Sequence, residues 1–131
     1  MAIVVNEESR LFTLNTRNTT YQMKVIEYGY LAHLYYGKKL DGDMSYVITH
    51  YDRGFSGNPY EAQDCREFSL DNIPQEYSCY GNGDFRTPAF NIKDIEGVHG
   101  CDLRYTSYEI VDNKYSLKGL PAAYTNDGSR E

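Results

Sequence analysis

The sequence predicts an all-β protein, and three features carry that prediction. Tyrosine is unusually frequent, with 14 residues in a chain of 131, and tyrosine favours the half-buried surface of a β-sheet. Several segments alternate apolar and polar residues, which is the period of a strand. Sustained 3.6-residue periodicity, the mark of an amphipathic helix, is absent from the sequence. We therefore expect about eight short strands packed as a β-sandwich.

The first part of the chain has the clearest strand signals. Strands are predicted over residues 2–6, 11–16, 20–27 and 30–36. The third of them alternates Tyr21, Met23 and Val25 with polar neighbours. A break at Tyr28 and Gly29 predicts a hairpin between the third and fourth strands. The fourth is apolar on both faces, so we expect it to be covered on both sides.

Weaker strand signals follow at wider spacing. They cover residues 46–50, 89–94, 103–111 and 115–117. Residues 52–61 have the composition of a loop, and the chain ends in a polar stretch after its final strand signal. Because the apolar fourth strand needs further strands to cover it, we expect residues 1–131 to be the N-terminal part of a larger β-sandwich domain.

Residues 68–88 form the most irregular and chemically dense stretch. Two prolines and two glycines exclude a single regular element, yet the stretch is too apolar for a solvated linker. Such a loop has to satisfy its own backbone polar groups. The run Gly81-Asn82-Gly83-Asp84 predicts a tight turn with positive φ angles. We expect this turn to fold against the sandwich and the stretch to act as an interface loop.

Three arginines lie beside aromatic residues in the sequence: Arg66, Arg86 and Arg104. An arginine can stack on a ring and also fork onto a carboxylate. For Asp84 and Arg86 we favour an ion pair that ties the loop to the domain. The alternative is a polar site with aromatic walls, which is typical of carbohydrate recognition.

The chain has no recognisable catalytic or metal-binding motif. The carboxylates available to pair across a sugar are Glu7, Glu8, Glu61, Asp64, Asp71 and Glu76. Surface or loop-capping roles are the favoured interpretation for them. The histidines lack metal-ligand spacing, and a hydrogen-bonded, half-buried role is expected for His33. Cys65, Cys79 and Cys101 contain no C-x-x-C pattern, which predicts reduced thiols and no zinc site. We expect no cofactor and no metal.

Several classes of protein are excluded by composition. The net charge of −6 argues against a nucleic-acid groove, which requires clustered lysine and arginine. No stretch reaches the roughly 18 apolar residues of a membrane span. The N-terminus lacks the basic start and long apolar run of a signal peptide. We expect a cytoplasmic protein without nucleic-acid or membrane partners.

Four motifs occur in order along nearly the whole chain: HLYYGKK at residues 33–39, FSLD at 68–71, PQEYSCYGNGDFRTPA at 74–89 and GLPA at 119–122. Together they resemble the N-terminal domain of the microbial α-galactosidases of glycoside hydrolase family 36. The resemblance implies a three-part enzyme with an N-terminal β-sandwich, a central (β/α)8 barrel and a C-terminal β domain. It also implies hydrolysis, with retention, of terminal α-linked galactose from melibiose, raffinose and similar sugars.

The resemblance assigns no catalytic residue to this chain, because the two catalytic aspartates of the family lie in the barrel. The isolated chain is therefore expected to be inactive. Members of the family often form tetramers in which loops of this domain reach a neighbouring subunit's active site. On that resemblance Asp52, Arg53, Phe55 and Arg66 are candidate contacts with sugar at the rim.

Two other classes of function stay open at this stage. One is a free-standing carbohydrate-binding β-sandwich module, and the other is a structural interaction domain. Tyrosine richness fits all three interpretations. The absence of tryptophan slightly disfavours a carbohydrate-binding module, since sugar platforms often use that side chain.

Overall fold

The computed structural model describes residues 2–52, 57–111 and 117–121. Its regular structure is one antiparallel sheet of four strands: β1 (Ala2–Asn6), β2 (Leu11–Asn15), β3 (Thr19–Val25) and β4 (Leu31–Lys38). Consecutive strands are neighbours, so the order in the sheet is β1-β2-β3-β4. The helical structure among the described residues consists of the short 3-10 helices Glu27–Gly29, Ser45–Val47 and Tyr60–Ala62. The all-β prediction is confirmed.

The four strands predicted in the first part of the chain all form, with bounds close to those expected. Their registers place apolar residues opposite one another, with Phe12 paired to Met23 and Leu14 paired to Tyr21. Directly opposed side chains lie on the same face of a sheet and pack together. The local signals in the sequence were therefore sufficient to locate these strands along the chain.

The turn between β3 and β4 is the one predicted from the break in the strand pattern. Tyr28 and Gly29 have φ angles of 58° and 82°, in the left-handed region that glycine adopts without strain. The Gly29 carbonyl accepts a hydrogen bond of 2.8 Å from the Tyr105 amide. The turn thus reverses the chain and also anchors a much later segment to the sheet.

The main core lies where the β3–β4 turn meets the irregular segment that follows the sheet. Its buried residues are Ile26, Tyr30, Ala32, Ala62, Phe68, Leu70 and Ile73. The Phe68 ring lies with its centroid 4.7 Å from that of Tyr28 and 6.0 Å from that of Tyr30. The first part of the stretch at 68–88 therefore buries its apolar side chains, as its composition indicated.

The same irregular stretch protects the outer edge of β4. The His33 amide donates to the Pro74 carbonyl at 2.6 Å, and the Glu76 amide donates to the Leu31 carbonyl at 2.9 Å. An antiparallel bridge joins Ala32 to Gln75, which lies between Pro74 and Glu76 in the chain. Part of the loop's own backbone is thus satisfied by the sheet, as a buried loop requires.

The strands predicted in the second part of the chain do not form as ladders in the described residues. Residues 46–50 overlap the 3-10 helix Ser45–Val47 instead, because the Asp43 carboxylate accepts a 2.7 Å hydrogen bond from the Ser45 amide and favours a turn. Residues 89–94 contribute a single bridge to Cys79, and residues 103–111 are without ladder pairing there. Of the predicted strand 115–117, the first two residues lie outside the described part. The second layer of the sandwich stays a prediction.

Candidate functional site

The structure brings together two of the four candidate rim residues. In the candidate loop, residues 52–66, Nε of Arg66 lies 3.3 Å from Oδ2 of Asp52. The side chains of Arg66 and Asp52 are 67% and 46% exposed, so this ion pair adds little to stability. Arg53 and Phe55 lie outside the described residues. Contact of these four residues with sugar at the rim of an active site stays a prediction.

The end of the candidate loop is fixed by contacts with its own backbone and with the core. The Asn58 side-chain amide donates to the carbonyls of Ala62 and Cys65, at 3.3 Å and 2.8 Å. Ala62 is buried, and Cys65 packs against the core. Arg66 therefore follows directly on an anchored residue, which restricts the positions that its backbone can take.

The tight turn predicted from the Gly-Asn-Gly-Asp run is confirmed. Gly81, Asn82 and Gly83 have φ angles of 118°, 50° and 86°, and the Asp84 amide donates to the Gly81 carbonyl at 2.9 Å. A Cβ atom on Gly83 would lie only 1.9 Å from the carbonyl oxygen of Gly57. The turn thus packs closely against the backbone of the candidate loop and supports it.

An ion pair between a buried carboxylate and a part-exposed guanidinium holds this turn in place. Asp84 is 1% exposed, and Arg86 donates to its carboxylate through Nε at 2.9 Å and Nη2 at 2.7 Å. Nη2 also donates to the carbonyls of Leu70 and Ile73, while Gln75 donates to the Asp84 carboxylate at 2.8 Å. Hydrogen bonding to Asp84 raises the pKa of the Arg86 guanidinium. The interpretation of this pair as a tie between loop and domain is confirmed.

Exposed aromatic rings surround the same turn. Phe85, between the two paired charges, is 69% exposed, and Tyr77 and Tyr80 are exposed as well. The rings of Tyr80 and Phe85 meet edge to face, with their centroids 5.5 Å apart. A rigid turn that presents large apolar rings to solvent is suited to contact another protein surface.

Arg104 joins the later segment to the β3–β4 turn. Its Nη2 lies 2.7 Å from Asp102 and 3.1 Å from Glu61, and its Nη1 donates to the Tyr28 carbonyl at 3.0 Å. The guanidinium carbon lies 4.6 Å from the centroid of the Tyr30 ring. The pKa of Glu61 is lowered by its own backbone amide and then by Arg104. These contacts favour a structural role for Arg104 over a ligand-binding one.

Tyr21, His33 and Glu76 form a polar cluster at one face of the sheet. The sequence did not predict this cluster. The Glu76 carboxylate lies 3.0 Å from Nδ1 of His33 and accepts a hydrogen bond from the Tyr21 hydroxyl. Burial, followed by the contacts with Glu76, raises the pKa of Tyr21. The expected half-buried, hydrogen-bonded state of His33 is confirmed. Its partner could not be found from spacing, because the two residues are 43 positions apart.

The described part of the chain contains neither a candidate metal site nor a disulfide bond. Within it, no group of three or more histidine, cysteine, aspartate or glutamate side chains could hold a metal ion. The three cysteines are free thiols. No helix of this part is long and apolar enough to cross a membrane.

The described residues thus form an antiparallel β-domain with ion-paired loops beside its sheet. Residues 29–131 match the glycosyl hydrolase family 36 N-terminal domain. The chain belongs to that family, and it corresponds to the non-catalytic N-terminal region of the family's α-galactosidases.

Curated relatives support the assignment along nearly the whole chain. The bifunctional α-galactosidase/sucrose kinase AgaSK of Mediterraneibacter gnavus is 54% identical over 127 residues, which are 97% of this chain and 14% of that protein. The α-galactosidase AgaA of Geobacillus stearothermophilus is 40% identical over 125 residues, or 95% of this chain and 17% of that protein. The chain therefore spans a small part of the length of the relatives it matches.

Solved structures give the same result for the fold. The galactosidase domain of AgaSK superposes with a TM-score of 0.88 at 53% identity, covering 96% of this chain and 18% of that one. A variant of the G. stearothermophilus AgaA enzyme in complex with raffinose has a TM-score of 0.78 at 40% identity, covering 90% of this chain and 16% of that one. The resemblance inferred from the four sequence motifs is confirmed.

Proposed function

We propose that this chain is the N-terminal part of a retaining α-galactosidase that hydrolyses terminal α-galactosyl residues of melibiose- and raffinose-type sugars. The observation that carries the proposal is the identity of 54% to an α-galactosidase/sucrose kinase over 97% of the chain. Structures of the related G. stearothermophilus enzyme with raffinose and with stachyose support this class of substrate.

Within that enzyme the chain serves assembly and substrate access. The catalytic (β/α)8 barrel and the C-terminal β domain belong to other parts of the polypeptide. The exposed rings of Tyr80 and Phe85 on their rigid turn are suited to an interface with the barrel or with a neighbouring subunit. A cytoplasmic homo-oligomer, expected to be a tetramer, is the proposed form of the whole protein.

The candidate loop is proposed to form part of the rim of an active site. Arg66 carries several N–H donors at a largely exposed position, and a guanidinium can bind sugar hydroxyls while one edge remains on a carboxylate. Asp52 occupies part of that guanidinium and so orients it. Arg53 and Phe55 complete the proposed set, with the phenyl ring as an apolar platform for a sugar face.

The isolated 131-residue chain is expected to release no nitrophenol from a nitrophenyl α-galactoside, because it contains neither catalytic aspartate of the proposed barrel. The complete gene product should release it in the same assay. Turnover by the isolated chain above the buffer rate would contradict this division of labour. A stop codon directly after Glu131 would contradict the proposal of a longer enzyme, whereas a reading frame of several hundred further residues would support it.

Replacing Arg66 by alanine in the complete enzyme is expected to raise the KM for raffinose about tenfold, the cost of losing one charged hydrogen bond. The KM for melibiose should rise less, because the additional residue of the trisaccharide reaches further towards the rim. Steady-state kinetics with both sugars measure the effect. Arg17→Ala, an exposed arginine in the β2–β3 turn, is the matched control and should change neither KM. Unchanged kinetics in Arg66→Ala would remove this residue from the rim.

A further inference from the structure

Cys79 and Cys101 come together in the fold although they belong to different segments of the irregular part of the chain. The Cys79 side chain interacts with the Cys101 thiol and with the backbone amide of Leu103. The Cys79 thiol also lies 3.7 Å from the Tyr77 carbonyl, to which it donates. Both cysteines are free thiols. The structure therefore holds a reduced thiol pair, which the wide spacing of the cysteines did not predict.

The segment that carries Cys79 is fixed on both sides. Residues 74–76 before it are bonded to the edge of β4, as described above. Cys79 itself forms a parallel bridge with Phe90, and the Ala89 amide donates to the Ser78 carbonyl at 3.0 Å. The Cys79 residue is only 8% exposed. Its sulfur is thus held in place and shielded from bulky reagents.

The segment that carries Cys101 is anchored beside the β3–β4 turn. Asp102, the next residue, accepts a hydrogen bond of 3.1 Å from the Tyr30 hydroxyl. The Tyr105 amide donates to the Gly29 carbonyl at 2.8 Å. Cys101 is half-buried, and so more open than its partner. Since each segment has its own anchors on the sheet region, the fold itself keeps the two thiols together.

We propose that Cys79 and Cys101 form a reversible redox pair, which a low-molecular-weight disulfide such as glutathione disulfide converts to an intramolecular disulfide bond. The proposal goes beyond the proposed function, because neither cysteine belongs to the candidate rim. The observation that carries it is the contact between two thiols on separately anchored segments. Disulfides of cytosolic proteins are mostly transient or redox-sensing, and the reduced pair seen here is the resting state of such a site.

The reaction consists of two thiol–disulfide exchanges. In the first, the Cys101 sulfur loses its proton and attacks one sulfur of glutathione disulfide; the bond between the two glutathione sulfurs breaks, and one glutathione leaves and takes up a proton. In the second, the Cys79 sulfur loses its proton and attacks the Cys101 sulfur, which expels the other glutathione as its thiol. Both cysteines are thereby oxidised, and one glutathione disulfide is reduced to two glutathione molecules.

The order of the two steps follows from the surroundings of each sulfur. Burial raises the pKa of the Cys79 thiol, which disfavours the thiolate that has to attack. Cys101 is more exposed and can meet a bulky disulfide from solvent. Cys101 is therefore the attacking residue, and Cys79 is the resolving one.

The disulfide would close a loop of about 20 residues, which restricts the chain conformations available to that loop. The loop contains the Gly81–Asp84 turn and residues 89–100, which form a single bridge to the rest of the described chain. Oxidation is therefore expected to tighten a segment that has few backbone bonds of its own.

Peptide mapping of the complete gene product tests the pair. The protein is incubated with glutathione disulfide, alkylated and digested with trypsin without reduction; Arg86 and Lys93 place the two cysteines on different peptides. We expect one linked pair, Cys79 with Cys101, which dithiothreitol separates. The matched control Cys65→Ser should form the same link. Absence of the link in an excess of glutathione disulfide, or a link that includes Cys65, would overturn the proposal.

Single variants test the order of the steps. Cys79→Ser should trap Cys101 as a mixed disulfide with glutathione, whereas Cys101→Ser should leave Cys79 modified at least about tenfold more slowly because it is buried. Equal rates of modification in the two variants would overturn the order proposed for them.

Hydrogen exchange tests the effect on the fold. Amides of residues 89–100 are expected to exchange several-fold more slowly in the oxidised complete gene product than in the reduced one. The double variant Cys79→Ser/Cys101→Ser should show no difference after the same treatment. Equal exchange in the oxidised and reduced proteins would contradict the tightening of this segment.

Discussion

The Arg86→Ala variant is expected to lose about 3–5 kcal/mol of unfolding free energy, because it leaves a buried carboxylate without its counter-charge. Asp84 is 1% exposed, and the Gln75 amide would be its remaining side-chain donor among the contacts described above. The substitution also removes the Nη2 donor from the carbonyls of Leu70 and Ile73. Urea unfolding followed by circular dichroism measures the loss.

The exposed Asp52–Arg66 pair is the control for this effect. Arg66→Ala is expected to cost at most about 1 kcal/mol, since both partners are solvated and the pair is screened. The double variant Asp84→Asn/Arg86→Ala should recover part of the loss, because a neutral amide is less costly to bury than an unpaired carboxylate. If Arg86→Ala destabilised the protein no more than Arg66→Ala, the turn would not depend on its ion pair.

Strands β1 to β4 could be predicted because each signal is local and consecutive strands pair with one another. Tyr21 and Met23 alternate with polar residues, and their partners Leu14 and Phe12 lie in the preceding strand. Residues 103–111 alternate apolar and polar side chains just as well. In the described part of the chain, however, they are joined to the β3–β4 turn by a single backbone hydrogen bond, from the Tyr105 amide to the Gly29 carbonyl. Alternation shows that a segment can be a strand, whereas a ladder also requires a partner at its edge.

The same distinction between local and distant contacts applies to the site. The ion pair between Asp84 and Arg86 could be predicted because the two residues are only two positions apart and directly follow a tight turn. The contact of His33 with Glu76 spans 43 positions, and so does that of Arg104 with Glu61. Such contacts depend on the path of the irregular stretch, which composition identified as a built loop without indicating its course.

That path gives residues 68–88 their importance for the candidate site. The stretch begins in the core with Phe68, continues along the edge of β4, and then turns at Gly81 to reach the backbone of Gly57. The candidate loop is therefore supported by a segment that is itself held by the ion pair of the buried Asp84 carboxylate with Arg86. A change at the turn is expected to act on the loop through backbone contact, without any residue of the turn touching a ligand.

The Gly83→Ala variant tests this support, and it is expected to cost about 2–5 kcal/mol of unfolding free energy. One contribution is the φ angle of 86°, which a Cβ atom disfavours by about 1–2 kcal/mol. The other is overlap, because that atom would lie 1.9 Å from the Gly57 carbonyl oxygen and 2.4 Å from its carbonyl carbon. Gly83 and Gly57 would have to separate to relieve it, and urea unfolding measures the cost.

Gly29→Ala separates the two contributions, since Gly29 has a φ angle of 82° while its added Cβ would meet its nearest atom at 3.8 Å. This variant should show the backbone cost alone, about 1–2 kcal/mol. The excess in Gly83→Ala is then the cost of displacing the turn and the candidate loop from one another. Equal losses in the two variants would show that the loop yields freely to the turn, and the support inferred from the close approach of Gly83 to Gly57 would be wrong.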